Sequence, residues 1–211
     1  MKNIILTTLI LCFGFASYSQ INFGIKVGAS ATDVGIDSLK INDPNSVDQF
    51  ILNVEEANYG FFFGGVLQIQ MGWFLLQPEV LFNSASVDYR IEDSFSTTTG
   101  KIFSETYQNL DIPFLLGFKA GPLRMQAGPV GHVFLNSISE LKDIEGYERN
   151  FKDIEYGYQA GIGIDFLKFM IDVRYEGNFS RFGNHIVFFG KQYNFSQNPT
   201  RLTASIAITL N

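Results

Sequence analysis

The chain has 211 residues, 15 Lys plus Arg against 21 Asp plus Glu, and a formal net charge of −6. That acidic balance excludes nucleic acid as an electrostatic partner, and the length suits one domain. The single cysteine, Cys12, sits in the first apolar run, so the chain beyond it carries no disulfide and no thiol chemistry.

That run covers residues 4–15, behind Met1, Lys2 and Asn3 and ahead of the small residues Ala16, Ser17 and Ser19. Charged start, apolar middle and small-residue end predict a secretory signal peptide over residues 1–20, cut near Ser19 or Gln20. The run is too short for a membrane-spanning helix. Cys12 is also poorly placed for lipoprotein processing, because apolar residues continue beyond it. Residues 21–211 then form the domain, and loss of Lys2 takes its net charge to −7.

Eight stretches of period-two alternation follow, each predicting a β-strand. The first spans residues 22–30, with Phe23, Ile25, Val27 and Ala29 on one face and Gly24, Lys26 and Gly28 on the other. An acidic stretch over residues 31–56, with Asp33, Asp37, Asp43 and Asp48, reads as a solvated loop. The second strand, residues 57–71, turns at Gly72 into a third that runs from Trp73 to about Arg90. A Ser/Thr-rich loop over residues 91–100 precedes the most regular pair, four and five, joined at Ala120-Gly121-Pro122. There Leu110, Ile112, Phe114, Leu116 and Phe118 oppose Asp111, Gly117 and Lys119; Leu123, Met125, Ala127, Pro129, Val133 and Leu135 oppose Arg124, Gln126, Gly128 and His132. A charged loop over residues 137–152 leads to strand six, ending at Phe166, and Leu167-Lys168 turns into strand seven from Phe169. An aromatic loop over residues 180–198 reads equally well as a contact surface or as a cover for the fold's mouth, and strand eight spans residues 200–211.

Long polar loops follow the odd strands and very short turns the even ones. This asymmetry predicts an all-β, eight-stranded, antiparallel up-and-down transmembrane β-barrel in the outer membrane, with turns and both termini periplasmic. Period two alone leaves a soluble barrel with an apolar interior open. Apolar-out is favoured because the other face carries Lys26, Glu79, Arg124, Asp165, Asp172, Arg174 and Glu176 together with many small residues. Aromatics also collect near strand ends: Trp73, Phe74, Phe118, Phe166 and Phe169 by the turns, Tyr59, Tyr107, Tyr156 and Phe179 by the loops. Pro78, Pro113 and Pro129 predict a bulge or a pairing defect, since proline cannot donate to the ladder.

Five short pieces add a family likeness: Phe23-Gly24-Ile25-Lys26-Val27-Gly28, Leu76-Gln77-Pro78-Glu79, Leu110-Asp111-Ile112-Pro113, Ala127-Gly128-Pro129 and Arg174-Tyr175. In order and spacing they resemble the PorT-like outer-membrane β-barrel family, small barrels of the OmpX and OmpA type. The resemblance implies eight strands, outer-membrane residence and no shared catalytic residues.

Chemistry beyond that is sparse. His132 faces inward near Ser137, Ser139 and Glu140, and His185 lies in the last loop, but no nucleophile motif surrounds either. The acidic first loop matches no defined calcium-ligand spacing, and no metal or cofactor motif occurs. The expected site is therefore the seven-residue interior polar cluster Lys26, Glu79, Arg124, Asp165, Asp172, Arg174 and Glu176, with no catalytic, cofactor-binding or metal residues. The expected role is structural, adhesive or accessory and non-enzymatic, with a narrow channel for small or hydrophobic solutes as the alternative. The expected partners are outer-membrane lipid and, through the long loops, a surface protein or small solute; the protein is expected to be a monomer.

Overall fold

The computed structural model describes residues 19–33, 38–42, 49–57, 59–93, 101–139, 147–149, 154–179, 186–188, 191–192 and 198–210. The expected signal segment and His185 fall outside them, except for Ser19 and Gln20. The strands are β1 (Ser19–Asp33), β2 (Ser38–Asn42), β3 (Gln49–Ala57), β4 (Tyr59–Met71), β5 (Phe74–Asp93), β6 (Lys101–Ala120) and β7 (Leu123–Ser139). They continue with β8 (Tyr147–Arg149), β9 (Ile154–Phe166), β10 (Phe169–Asn178), β11 (Ile186–Phe188), β12 (Lys191–Gln192) and β13 (Thr200–Thr209).

Eight of these form the barrel wall in the order β1-β4-β5-β6-β7-β9-β10-β13, and every pairing is antiparallel. The wall closes where β13 pairs with β1, from Gly24 opposite Thr209 to Asp33 opposite Thr200. Closure satisfies the backbone groups that an open edge would leave unpaired, which is what a strand structure needs in hydrocarbon. The predicted eight-stranded fold is thus the one the chain adopts.

Three two-residue turns, at Gly72-Trp73, Gly121-Pro122 and Leu167-Lys168, lie at one end of the barrel, here the turn end. The first residue of each has positive φ: 62° at Gly72, 60° at Gly121 and 55° at Leu167. Glycine takes that conformation freely, whereas Leu167 holds it against a steric cost. β1 starts at this end, with Ser19 opposite Met71, and β13 finishes there, with Ile208 opposite Phe169.

The two faces of the wall separate by side-chain type. Outward-facing Phe23, Phe61, Phe114, Leu116, Ile162 and Ile206 are all exposed, while their neighbours along the strands are buried or half-buried on the lumen side. An exposed apolar surface of this extent on a closed barrel matches a bilayer rather than water. Aromatic rings mark its ends. Trp73 stacks on Phe118 at 4.9 Å near the turn end, and Tyr158 meets Phe179 at 5.7 Å near the loop end. Tyr107 departs from the sequence expectation. It is half-buried, and its hydroxyl donates to Glu105 Oε2 at 2.8 Å, so it turns into the barrel instead of joining the outer aromatics. The cause is parity: on β6 the odd residues from Phe103 to Gly117 share the inner face.

The prolines interrupt pairing without shifting it. β5–β6 pairing skips from Pro78–Phe114 to Leu81–Asp111, and β6–β7 pairing from Pro113–Val130 to Leu116–Ala127, with register unchanged. The bulges fall elsewhere, between Gln108 and Asn109 and between Val54 and Glu56.

Several predicted loops carry strands. The acidic stretch over residues 31–56 is not simply a solvated loop, because β1 runs to Asp33 and β2 and β3 pair as a hairpin. β3 then lies on the far end of β5, from Phe50 opposite Asp93 to Ala57 opposite Val87. The alternation Leu39/Ile41 and Phe50/Leu52/Val54 was masked in sequence by the acidic residues around it, and β5's long edge supplies the partner. β5 likewise extends to Asp93, into the predicted Ser/Thr-rich loop. From the last two loops, β8, β11 and β12 join in a separate three-stranded sheet.

Candidate functional site

The lumen holds a buried network of charged and amide side chains, packed beside apolar ones that include Val66, Leu75, Leu115 and Met170. Alternation on all eight wall strands delivers its members: Lys26 from β1, Gln68 from β4, Gln77 and Glu79 from β5, Asp111 from β6, Arg124, Gln126 and His132 from β7, Asp165 from β9, Asp172, Arg174 and Glu176 from β10, and Arg201 from β13. A strand that is apolar outside needs only a polar residue at each alternate position to place it here.

Glu79 is the hub. It accepts from Lys26 Nζ at 2.7 Å and Gln77 Nε2 at 2.6 Å, and receives Arg174 through two nitrogens, Nη2 to Oε1 at 2.7 Å and Nη1 to Oε2 at 2.9 Å. This two-pronged match fixes the guanidinium plane as well as its position. Asp172 is the second hub: Lys26 Nζ lies 3.1 Å from Oδ2, Arg124 Nη2 lies 3.1 Å from Oδ1, and Gln126 Nε2 donates to Oδ1 at 3.0 Å. Arg124 then extends the chain turnward. Its Nε lies 2.6 Å from Asp165 Oδ1, and Lys119 Nζ lies 2.6 Å from the same carboxylate's Oδ2. Lys26 is 0% exposed and Arg124 1%. Such ions are tolerated only because every one meets opposite charge.

Gly163 makes room at the centre. A Cβ there would lie 2.4 Å from Asp172 Oδ1 and 2.8 Å from Arg124 Nη2, so this backbone must approach the ion pair bare.

A second group lies toward the loop end. Arg201 of β13 donates through Nη2 to Asp111 Oδ2 at 2.7 Å and to Glu176 Oε2 at 2.8 Å. Gln159 Nε2 donates to Glu176 Oε2 at 2.5 Å. His132 Nδ1 lies 2.7 Å from Asp111 Oδ1, so the ring's Nδ1 carries the proton that this carboxylate accepts. Its Nε2 points toward Glu176 Oε1 at 3.8 Å. The two groups join where Arg174 Nη1 reaches Gln159 Oε1 at 3.4 Å.

All seven candidate residues therefore lie in one connected system. Lys26, Glu79, Arg124, Asp165, Asp172 and Arg174 form the central group, and Glu176 belongs to the loopward one. Arg201 was missed, although its position in step with Thr203 and Ser205 on an alternating strand marks it as inward. The alternation also predicts Asp111, His132 and Lys119 as inward-facing, outside the seven-residue cluster. With them, Lys26, Lys119, Arg124, Arg174 and Arg201 balance Glu79, Asp111, Asp165, Asp172 and Glu176, five against five. The partner set against His132 is Asp111, from the neighbouring strand; Glu140 lies outside the described residues. Among the described residues no three His, Cys, Asp or Glu side chains are grouped to hold a metal ion.

No curated protein matches the chain. Among solved structures it is similar to the outer membrane protease OmpT from Escherichia coli, at 11% identity over 90% of this chain and 96% of that one, with a TM-score of 0.45. It is also similar to LpxR from Salmonella typhimurium, at 7% identity over 88% and 99% of the two chains, with a TM-score of 0.30. Both likenesses are remote. A family model described as an outer membrane protein beta-barrel domain matches residues 15–183. With its closed wall, apolar exterior and charged lumen, the chain belongs to this family of outer-membrane β-barrels.

Proposed function

We propose that the protein is a non-conducting, non-enzymatic wall element of the outer membrane, with a structural, adhesive or accessory role carried by its loop end. One observation carries this reading: the ion-pair network crosses the lumen, from β1 and β5 on one side to β7, β9 and β10 on the other. A barrel of eight strands has room for side chains but no wide water path, and here those side chains hold each other by opposite charge. In this reading residues 1–20 are removed on export, the turn end and both termini face the periplasm, and the loops face outward. The five short motifs in register with the PorT-like family support the same assignment. The protein acts as a monomer embedded in lipid, and any protein or solute partner meets the loops.

Reconstitution tests the proposal. Purified protein should change mobility between unheated and heated gels, fractionate with membranes, and give no discrete conductance in planar bilayers. Steady single-channel steps that change on charge reversal at Arg124 or Arg174 would replace it with the second reading, a narrow channel. That reading draws on the charged and amide side chains of the lumen, which stand among buried apolar ones such as Leu75, Leu115 and Met170. Recovery in a soluble fraction without detergent would overturn both. The non-enzymatic part is tested separately: His132→Ala should leave the membrane lipid profile unchanged.

A further inference from the structure

β5 and β6 are each 20 residues long, about twice the 9–11 residues that a tilted strand needs to cross a bilayer. Their outer faces change character midway. From Phe74 to Phe82 on β5, and from Leu110 to Phe118 on β6, every outward residue is apolar. Beyond Phe82 and Leu110 come three polar cross-strand rungs, Ser84 opposite Gln108, Ser86 opposite Thr106 and Asp88 opposite Ser104. Ser86 and Thr106 share a hydroxyl hydrogen bond of 2.8 Å, and Ser104 donates to Asp88. The inner face at this height is covered by the protein itself: Val87 and Phe103 are buried, and Glu105 is 0% exposed. Only the outer face is therefore available to a partner.

We propose that this strip is a headgroup-binding face, on which the side-chain hydroxyls and the Gln108 amide hydrogen-bond the polar headgroups of lipids packed against the barrel. The proposal rests on the membrane reading above and goes beyond it by assigning a lipid contact and a depth. Continuity identifies the occupant, because the strip begins at the residue where the apolar belt ends. Ile138, exposed on β7 and paired with Thr106, borders the strip with apolar surface on its flank. A face bordered by apolar surface from below and beside meets the edge of a bilayer rather than open water. Strand rise and a tilt near 40° put the first two rungs about 5 and 10 Å above the hydrocarbon edge, and the third about 15 Å. The first rung thus lies within the headgroup layer, which is about 5–8 Å deep per side, and the second lies just above it, where a side chain reaches down to its top. Asp88 and Ser104 stand at its watery margin.

Single cysteines carrying an environment-sensitive fluorophore test this in the full chain, on a Cys12→Ser background reconstituted in phosphatidylcholine vesicles. The variants are Phe82→Cys, Ser84→Cys, Ser86→Cys, Thr106→Cys and Leu110→Cys. Three quenchers are compared: a nitroxide on the lipid headgroup, a nitroxide on the acyl chain, and aqueous iodide. The expected result is acyl-chain quenching at 82 and 110, and headgroup quenching several-fold stronger than either alternative at 84, 86 and 106. Iodide quenching alone at 86 and 106 would show an open aqueous face and overturn the proposal. Acyl-chain quenching there would misplace the boundary, and shielding from all three would show protein cover; each also overturns it. Loss of acyl-chain quenching at 82 and 110 would instead sink the membrane reading itself, so the two failures are distinct.

Discussion

At the scale of single residues, Glu79 decides most. Among the described residues it is the only carboxylate that takes both Lys26 and a two-pronged Arg174, and the side chains of Lys26 and Glu79 are fully buried. Glu79→Ala leaves two buried cations, Lys26 and Arg174, to share Asp172, and breaking a buried pair costs about 3–5 kcal/mol in comparable cases. Urea unfolding in lipid vesicles, read by heat-modifiable gel mobility, should show that loss. A double-mutant cycle with Arg174→Gln and Glu79→Gln should give a coupling energy of about 0.5–3 kcal/mol, since the two are in direct contact. Gly163 matters for a different reason. Gly163→Ala drives a methyl into the Asp172–Arg124 pair and should destabilise by about 1–3 kcal/mol, the usual range for overpacking. Chemical denaturation of the same vesicles measures it, and an unchanged midpoint would mean the backbone yields at that point. Lys26, Glu79, Arg124 and Asp172 were legible as inward residues from alternation alone. Which carboxylate each cation meets was not legible, because the decisive partners lie on other strands far away in sequence, 53 positions apart for Lys26 and Glu79 and 90 for Arg201 and Asp111.

At the scale of elements, the turns and the long strands carry the argument. Gly72 and Gly121 occupy positive-φ positions at no steric cost, while Leu167 does the same job with a side chain. Leu167→Gly should therefore raise stability by about 1 kcal/mol, less whatever the freer unfolded chain takes back. The observable is a higher denaturation midpoint, and a lower one would show that the exposed Leu167 side chain contributes contacts worth more than its strain. At the same end, Trp73 stacks on Phe118 with an interplanar angle of 17°. Trp73→Ala should lose about 0.5–1.5 kcal/mol beyond the buried area, with no effect on the lumen network. Turn and strand positions were legible to within a few residues, since Gly-Trp, Gly-Pro and alternating runs are local signals. The strands hidden in the loops were not. β3 is held by pairing with β5, and β11 by pairing with β8, so each exists because of a distant partner.

At the scale of the whole molecule, the barrel separates two solvents, hydrocarbon outside and an ionic interior within. Closure by β1 and β13 makes every strand depend on both neighbours, so unfolding in vesicles should be a single cooperative step monitored by far-ultraviolet circular dichroism and by gel mobility. Two separated transitions would show that the loopward extension of β5 and β6 opens independently of the wall. The five-against-five charge balance also predicts that removing one cation from the lumen is worse than removing a matched pair, because a lone buried charge keeps its full desolvation cost.

The sequence by itself determined the number of wall strands, the alternation of faces, the turn positions and the identity of most inward charges. These are period-two and turn-residue properties, and they are readable wherever they occur. Only the tertiary structure decided how the charges pair, which carboxylates Arg201 meets, and that β5 and β6 stay paired over their full length. Each of those depends on register between strands far apart in the chain. Register is set by closure of the barrel, a condition that no single stretch of sequence contains.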